Sequence, residues 1–287
     1  MRKWFKYSIE FDNLKKNTIQ KHNSYEDFEK SMGGYKENKF YENKKVFIEG
    51  FLRGRFNYYN NFLNKNLDKE KKIISIASGR CINELVLINK GFDIDCSDLG
   101  IPKSYNISKK IFKEFNFFKI DILNQHFHKK YQTALALGLI YVFSNEELEK
   151  FFLNINRSIE INGDLILDSS SSSNNFYTSI FDKYILKFET YLISFYLNIT
   201  GRKNIVVKRH HGYKFTNKEL IQIAEKNGFS LVLKKDKDYL SEILRSKFLN
   251  KIFTKIKIFK YFLLLFGFPM PYLRIFKFKK VKEVLYD

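Results

Sequence analysis

Three groups of residues in this chain have types and spacings suited to chemistry. The first is a turn of small residues, Ala77-Ser78-Gly79-Arg80, which closes an apolar run at 73–77 and precedes a helical segment carrying Leu85, Leu87 and Ile88. In a parallel α/β unit such a turn lies at the strand's C-terminal end. Its backbone N–H groups and the following helix N-terminus face outward there and hold ligands. The second is Asp98, which follows another apolar run at 92–96. A carboxylate about 20 residues beyond such a turn accepts hydrogen bonds from ribose hydroxyls. The third is the pair His210-His211 with Tyr213, in a basic stretch. A neutral histidine takes a proton from an attacking hydroxyl or amine at about pH 7. A solvated pair on a basic loop is the plain alternative.

The elements that must position these groups are legible in order. Residues 72–98 read as strand, turn, helix and strand, with the helix ending at Gly91. A helix over 103–114 leads to a third strand at 115–120, closed by Asp121 and Ile122. A fourth strand at 133–137 runs into Gly138, a residue that permits close backbone approach. Ser144 and Glu147 bracket the start of a helix over about 145–159, whose Leu148, Phe151, Phe152, Ile155 and Ile159 share one face. Asn162-Gly163 turns the chain into a fifth strand at 164–167. Thr216 and Glu219 have capping-box spacing at the head of another helix, and a sixth strand follows at 229–233. The segment 274–285 returns as an antiparallel seventh strand.

At these residues the chain resembles the class I SAM-dependent methyltransferases (SAM, S-adenosyl-L-methionine). Their first motif runs acidic-x-Gly-x-Gly-x-Gly, and the next strand ends in an acid. Here Ser75, Ala77, Gly79 and Cys81 occupy the four motif positions and Asp98 the strand end. The ordered agreement extends over about 72–168, and 212–232 resembles the family's entry to its last helix and sixth strand. The resemblance implies a seven-stranded, mostly parallel Rossmann-like methyltransferase sheet, with helices on both faces and helical insertions. It implies SAM as cofactor. Ala77, Ser78, Gly79 and Arg80 would contact its methionine part through backbone, and Gly138 would lie beside the same part. Asp98 would bind the ribose diol, Asp121 the adenine amine, and Ile122 the ring face. An Asp after a strand also caps its own turn, so Asp121 has two readings. His210, His211 and Tyr213 lie where acceptor-contacting residues of the family often lie.

Domain organisation follows from the same reading. Residues 1–68 form an N-terminal helical cap region, with a helix over 36–67. Residues 69–287 form the methyltransferase domain, with insertions at about 169–214 and 235–273. The first insertion carries an aromatic-rich helix at 176–200. The second, at 244–273, is basic and amphipathic and then apolar, which suits either peripheral membrane contact or packing on its own domain.

Composition narrows the class further. A net charge of +20, with 51 Lys+Arg against 31 Asp+Glu, invites a polyanion, although a chain rich in Lys and Asn carries such charge without one. The two cysteines, Cys81 and Cys96, have no metal-ligand or redox spacing, so no metal is expected. No apolar signal segment opens the chain, and the expected location is cytoplasmic, at most peripheral at a membrane. Position 138–141 reads Gly-Leu-Ile-Tyr, not the Asn/Asp-Pro-Pro-aromatic turn of amino-methylating nucleic-acid enzymes, and neither cysteine follows a proline. The expected activity is therefore methyl transfer to a small-molecule, sugar or lipid-linked acceptor. An RNA-directed enzyme or RNA-binding protein, and a non-catalytic partner subunit of the same fold, are the alternatives. Oligomeric state is not encoded in any motif.

Overall fold

The computed structural model describes residues 2–7, 43–51, 54–112, 115–170, 199, 209–238 and 271–284. The predicted helix at 176–200 and nearly all of 244–273 lie outside the described residues. The strands are β1 (Arg2–Tyr7), β2 (Ile73–Ile76), β3 (Ile94–Asp98), β4 (Phe117–Lys119), β5 (Tyr131–Ala136), β6 (Ile159–Ser170), β7 (Arg209–Lys214), β8 (Phe229–Asp238) and β9 (Pro271–Lys280). The helices are α1 (Lys44–Phe51), α2 (Gly54–Asn66), α3 (Ile82–Ile88), α4 (Lys103–Ile111), α5 (Asn145–Ser158) and α6 (Asn217–Lys226), with a 3-10 turn at Ile140–Val142.

Seven strands form one sheet in the order β4-β3-β2-β5-β6-β9-β8. The pairs from β4 through β6 are parallel, and β9 runs antiparallel between β6 and β8. The central strands are apolar runs because both their faces are covered. One face packs Phe47, Phe62, Leu63, Leu85 and Phe112 of the segments from α1 to just past α4. The other packs Leu148, Phe151, Phe152 and Ile155 of α5 with Leu220 and Ala224 of α6. Both predicted capping boxes form: Ser144 with Glu147, and Thr216 with Glu219. Each satisfies a helix N-terminal donor and fixes where the helix leaves the sheet edge.

Several boundaries differ from expectation. The second strand of the first unit ends at Asp98 itself, so the acid is part of the ladder. The predicted helix over 36–67 is two helices, α1 and α2. Asn162-Gly163 does not separate a turn from a strand. It is a bulge inside β6, with Asn162 at φ 64 and the pairing jumping from Tyr131↔Ile159 to Thr133↔Asp164. Glycine is required there, because a Cβ on Gly163 would meet the Glu160 and Gln132 carbonyl oxygens at 2.8 and 2.9 Å. The strands β8 and β9 extend to Asp238 and from Pro271, which shortens the second insertion to 239–270. The cap region is not wholly helical: β1 pairs antiparallel with β7 in a separate ribbon. Mixed charge and aromatic residues without a clear period hid that strand, and its partner lies far along the chain.

Candidate cofactor and acceptor site

The C-terminal ends of β2, β3, β5 and β6 lie along one edge of the sheet, and the turn after β2 is its most constrained part. Ala77, Gly79 and Cys81 have φ of 52°, 53° and 57°. These are the positions at which the family motif carries its three glycines. For residues with a Cβ this left-handed conformation costs about 1–2 kcal/mol each, so the loop keeps a glycine-type path at two non-glycine positions. Cys81 turns its side chain into the core, 2% exposed, away from the outward side of the turn. Burial pushes its thiol and that of neighbouring Cys96 up, which keeps both in the unreactive protonated form.

Asp98 ties this turn to β3. Its Oδ2 accepts from the Gly79 amide at 2.8 Å and its Oδ1 from the Leu99 amide at 2.7 Å. The Ser78 amide and hydroxyl both donate to the Ser97 carbonyl, at 2.9 and 3.1 Å. Two of the amides expected to face a ligand, those of Ser78 and Gly79, are thus engaged with β3. The half-buried Arg80 completes the turn before α3.

Beneath the turn, Ser75 occupies the place of the motif acid, and a carboxylate reaches it from elsewhere. Ser75 Oγ donates to Glu84 Oε1 at 2.7 Å, and Glu84 is 3% exposed. Burial raises the Glu84 carboxyl above its ordinary value, and hydrogen bonds from Ser75 and from the amides of Glu84 and Asn83 pull it partly back. The missing acid of β2 is therefore matched by a buried one on α3.

The Asp121 carboxylate caps its own turn. It accepts from the Leu123 amide at 3.0 Å and from Asn124 Nδ2 at 2.7 Å. Ile122 is a core residue, and its carbonyl accepts from Asn154 at 2.8 Å. Gly138, at φ 71, presents open backbone: a Cβ there would meet nothing within 4 Å. Its amide donates to Asp168 Oδ1, and Tyr59 of α2 donates its hydroxyl to Asp168 Oδ2. Asp168, 6% exposed, thereby joins β6, the loop after β5 and the cap helix α2. Its place at the end of the apolar run 165–167 was the available sequence signal for it.

The predicted acceptor residues sit on β7, which lies against the 3-10 turn just past Gly138. The register pairs His210 with Lys6, His211 with Phe5 and Tyr213 with Lys3.

Arg274, which sequence reasoning placed only within a returning strand, ends this edge. It is 4% exposed and lies opposite Ser169 on β6 and Asp236 on β8. Its Nε donates to Asp236 Oδ1 at 3.1 Å, while its Nη1 is buried without a hydrogen-bond partner. Burial lowers the guanidinium's proton affinity and the Asp236 carboxylate opposes this. A buried charged donor left unsatisfied costs about 1–3 kcal/mol or more.

Among the described residues no helix is long and apolar enough to cross a membrane. No family model matches the sequence, and no curated protein does. Solved structures do. Magnesium protoporphyrin IX methyltransferase from Synechocystis PCC 6803, with bound S-adenosylhomocysteine (SAH), aligns over 89% of this chain and 97% of its own at 14% identity and a TM-score of 0.50. The 1,6-didemethyltoxoflavin-N1-methyltransferase from Burkholderia thailandensis aligns over 79% of this chain and 78% of its own, at 11% identity and 0.52. A SAM-dependent methyltransferase from Methanosarcina mazei aligns over 77% and 98%, at 14% identity and 0.51. Taken with the strand order, these similarities establish that the chain has the fold of the class I SAM-dependent methyltransferases.

Proposed function

We propose that this chain is a SAM-dependent methyltransferase acting on a small-molecule, sugar or lipid-linked acceptor. The observation that carries the reading is the turn after β2. Its three left-handed positions coincide with the three motif glycines, and the acid ending β3 bonds the middle one. A loop free of functional demand would not be expected to hold Ala77 and Cys81 in that conformation.

The donor set suits the cofactor. A carboxylate accepts several hydrogen bonds at once, so Asp98 can anchor the turn and receive a ribose diol together. The open backbone at Gly138 lets a ligand approach the end of β5 closely. Bound SAM supplies an electrophilic methyl group that carries its own good leaving group. The protein's task is then to hold the acceptor in line and exclude water, which accounts for several kcal/mol of barrier in such displacements. His210, His211 and Tyr213 of β7 are candidates to orient the acceptor and take its proton. Asp121 and Ile122 are candidates for the adenine amine and ring, since a carboxylate that caps its own turn still accepts a further hydrogen bond.

Calorimetric titration of the purified protein with SAM and SAH tests this, with Asp98→Ala as control. Binding by the parent that weakens in the variant supports the reading. A parent that binds neither ligand overturns it and favours a non-catalytic member of the fold.

A further inference from the structure

Arg274 is a buried cation with spare donor capacity, placed on the acceptor half of the sheet edge. Two placements fix its position. The cross-strand pair Ser169↔Arg274 puts it at the C-terminal end of β6, the same edge as Asp98 and Gly138. Alternation along β9 puts it on the face of Phe276 and Phe278, which is the face covered by α5 and α6. The chain leaves β7 through buried Phe215 and enters α6 at this edge and on this face, and β7 lies against the 3-10 turn Ile140–Val142. Arg274 therefore lies at the β6–β9 corner of this edge.

At the corner itself, Asp236 is the acceptor that faces Arg274, and it takes up only Nε. A guanidinium is a planar fork suited to a carboxylate or phosphate, and burial strengthens such a pair.

We propose that Arg274 binds an oxyanion group, a carboxylate or a phosphate monoester, of the molecule that accepts the methyl group. This rests on the methyl-transfer reading of the same edge. It narrows the acceptor from small molecules in general to those carrying such a group close to the methylated atom.

The test uses the full chain loaded with SAH and titrated with three probes: sodium benzoate, sodium phenyl phosphate and neutral methyl benzoate. The expected result is binding of one or both anions and not of the ester, and the two anions separate carboxylate from phosphate recognition. Arg274→Met should weaken the anion by about tenfold or more while leaving SAH affinity unchanged. Asp236→Asn, which removes the competing carboxylate, should tighten it several-fold and serves as the readout if Arg274→Met does not fold. Equal binding of benzoate and its methyl ester, retention of anion affinity by folded Arg274→Met, or no anion binding at all would overturn the proposal. Should SAH itself fail to bind, the methyl-transfer reading fails first. The same anion titration on the unloaded protein still decides whether Arg274 is an anion site.

Discussion

Lys280 and Arg274 lie at opposite ends of β9, on the same face of the sheet, and both are buried. The Lys280 ammonium donates to the carbonyls of Asn156 and Ile159 at 2.6 and 2.8 Å and pairs with Glu283 at 2.8 Å. All three of its donors are used. Arg274 has one bond to Asp236 and an orphaned Nη1. Two further clusters, one at each edge, can be set beside these. At the N-terminal edge Asp95 accepts from Asn116 and Tyr131 at 2.8 and 2.9 Å, with Lys72 at 3.6 Å. At the C-terminal edge stand the left-handed Ala77, Gly79, Cys81 and Gly138. The Lys280 and Asp95 clusters are closed, while the orphaned Arg274 donor stands at the edge where open α/β sheets bind ligands.

The largest expected effect breaks the contrast between the two cations. Lys280→Met strands two buried carbonyls and should cost about 2–4 kcal/mol of stability in urea denaturation. Arg274→Met removes an incompletely paired buried charge and should change stability by no more than about 1 kcal/mol in either direction. If both variants lose stability equally, the two edges are alike and Arg274 is a structural residue.

Asp98→Ala comes next and acts on ligand affinity. It removes the carboxylate that holds Gly79 and should weaken SAM binding by about tenfold or more in calorimetry. The matching change at the closed edge, Tyr131→Phe, should cost about 1–2 kcal/mol in urea and leave SAM affinity untouched. Loss of SAM binding in Tyr131→Phe would mean that the edges are coupled.

Glu84 adds a pH dependence with a definite sign. Its folded-state proton affinity lies above that of the unfolded chain, so it favours folding most at pH below its ordinary value of 4.5. That contribution is lost as pH rises from 4.5 through the raised value. Glu84→Gln lacks this titration. Its stability relative to the parent should rise across that window and level off above it, as read from urea midpoints between pH 4 and pH 8 (~0.5-unit steps). A flat difference curve would mean that Glu84 is not protonated preferentially in the fold.

Much of the scaffold is legible in the sequence, and the reasons are local. The strands of a doubly covered sheet read as short apolar runs, α5 shows one apolar face, and both capping boxes are spelled out three residues apart. The register of the motif at Ser75, Ala77, Gly79 and Cys81 was also legible, although a single glycine of three remains. What was hidden depends on long-range pairing. Glu84 facing Ser75, Asp168 joining Tyr59 to Gly138, and Arg274 facing Asp236 are contacts between segments that only the folded sheet brings together. For Asp121 the structure adds two donors from its own turn to the ligand contact that its position in the chain suggests.

The smallest expected effect bears most directly on whether the strained turn is functional. Ala77 at φ 52 would be relieved by glycine, which adopts that conformation without penalty. Glycine also loosens the unfolded chain, and the two effects nearly offset, leaving Ala77→Gly more stable by about 0.5 kcal/mol. Stability alone would not separate a working loop from a relic. The paired measurement is SAM affinity. If the turn already holds its binding geometry, glycine restores the motif and leaves affinity equal or slightly tighter. If Ala77 instead fixes the loop in a path unlike that of a cofactor-binding turn, the added freedom lets the loop reach that path, and affinity rises well beyond the stability gain. The first result identifies the loop as preorganised, with alanine tolerated because Asp98 clamps Gly79. The second would place this chain's own motif substitutions, and not its acceptor corner, as the limit on methyl transfer.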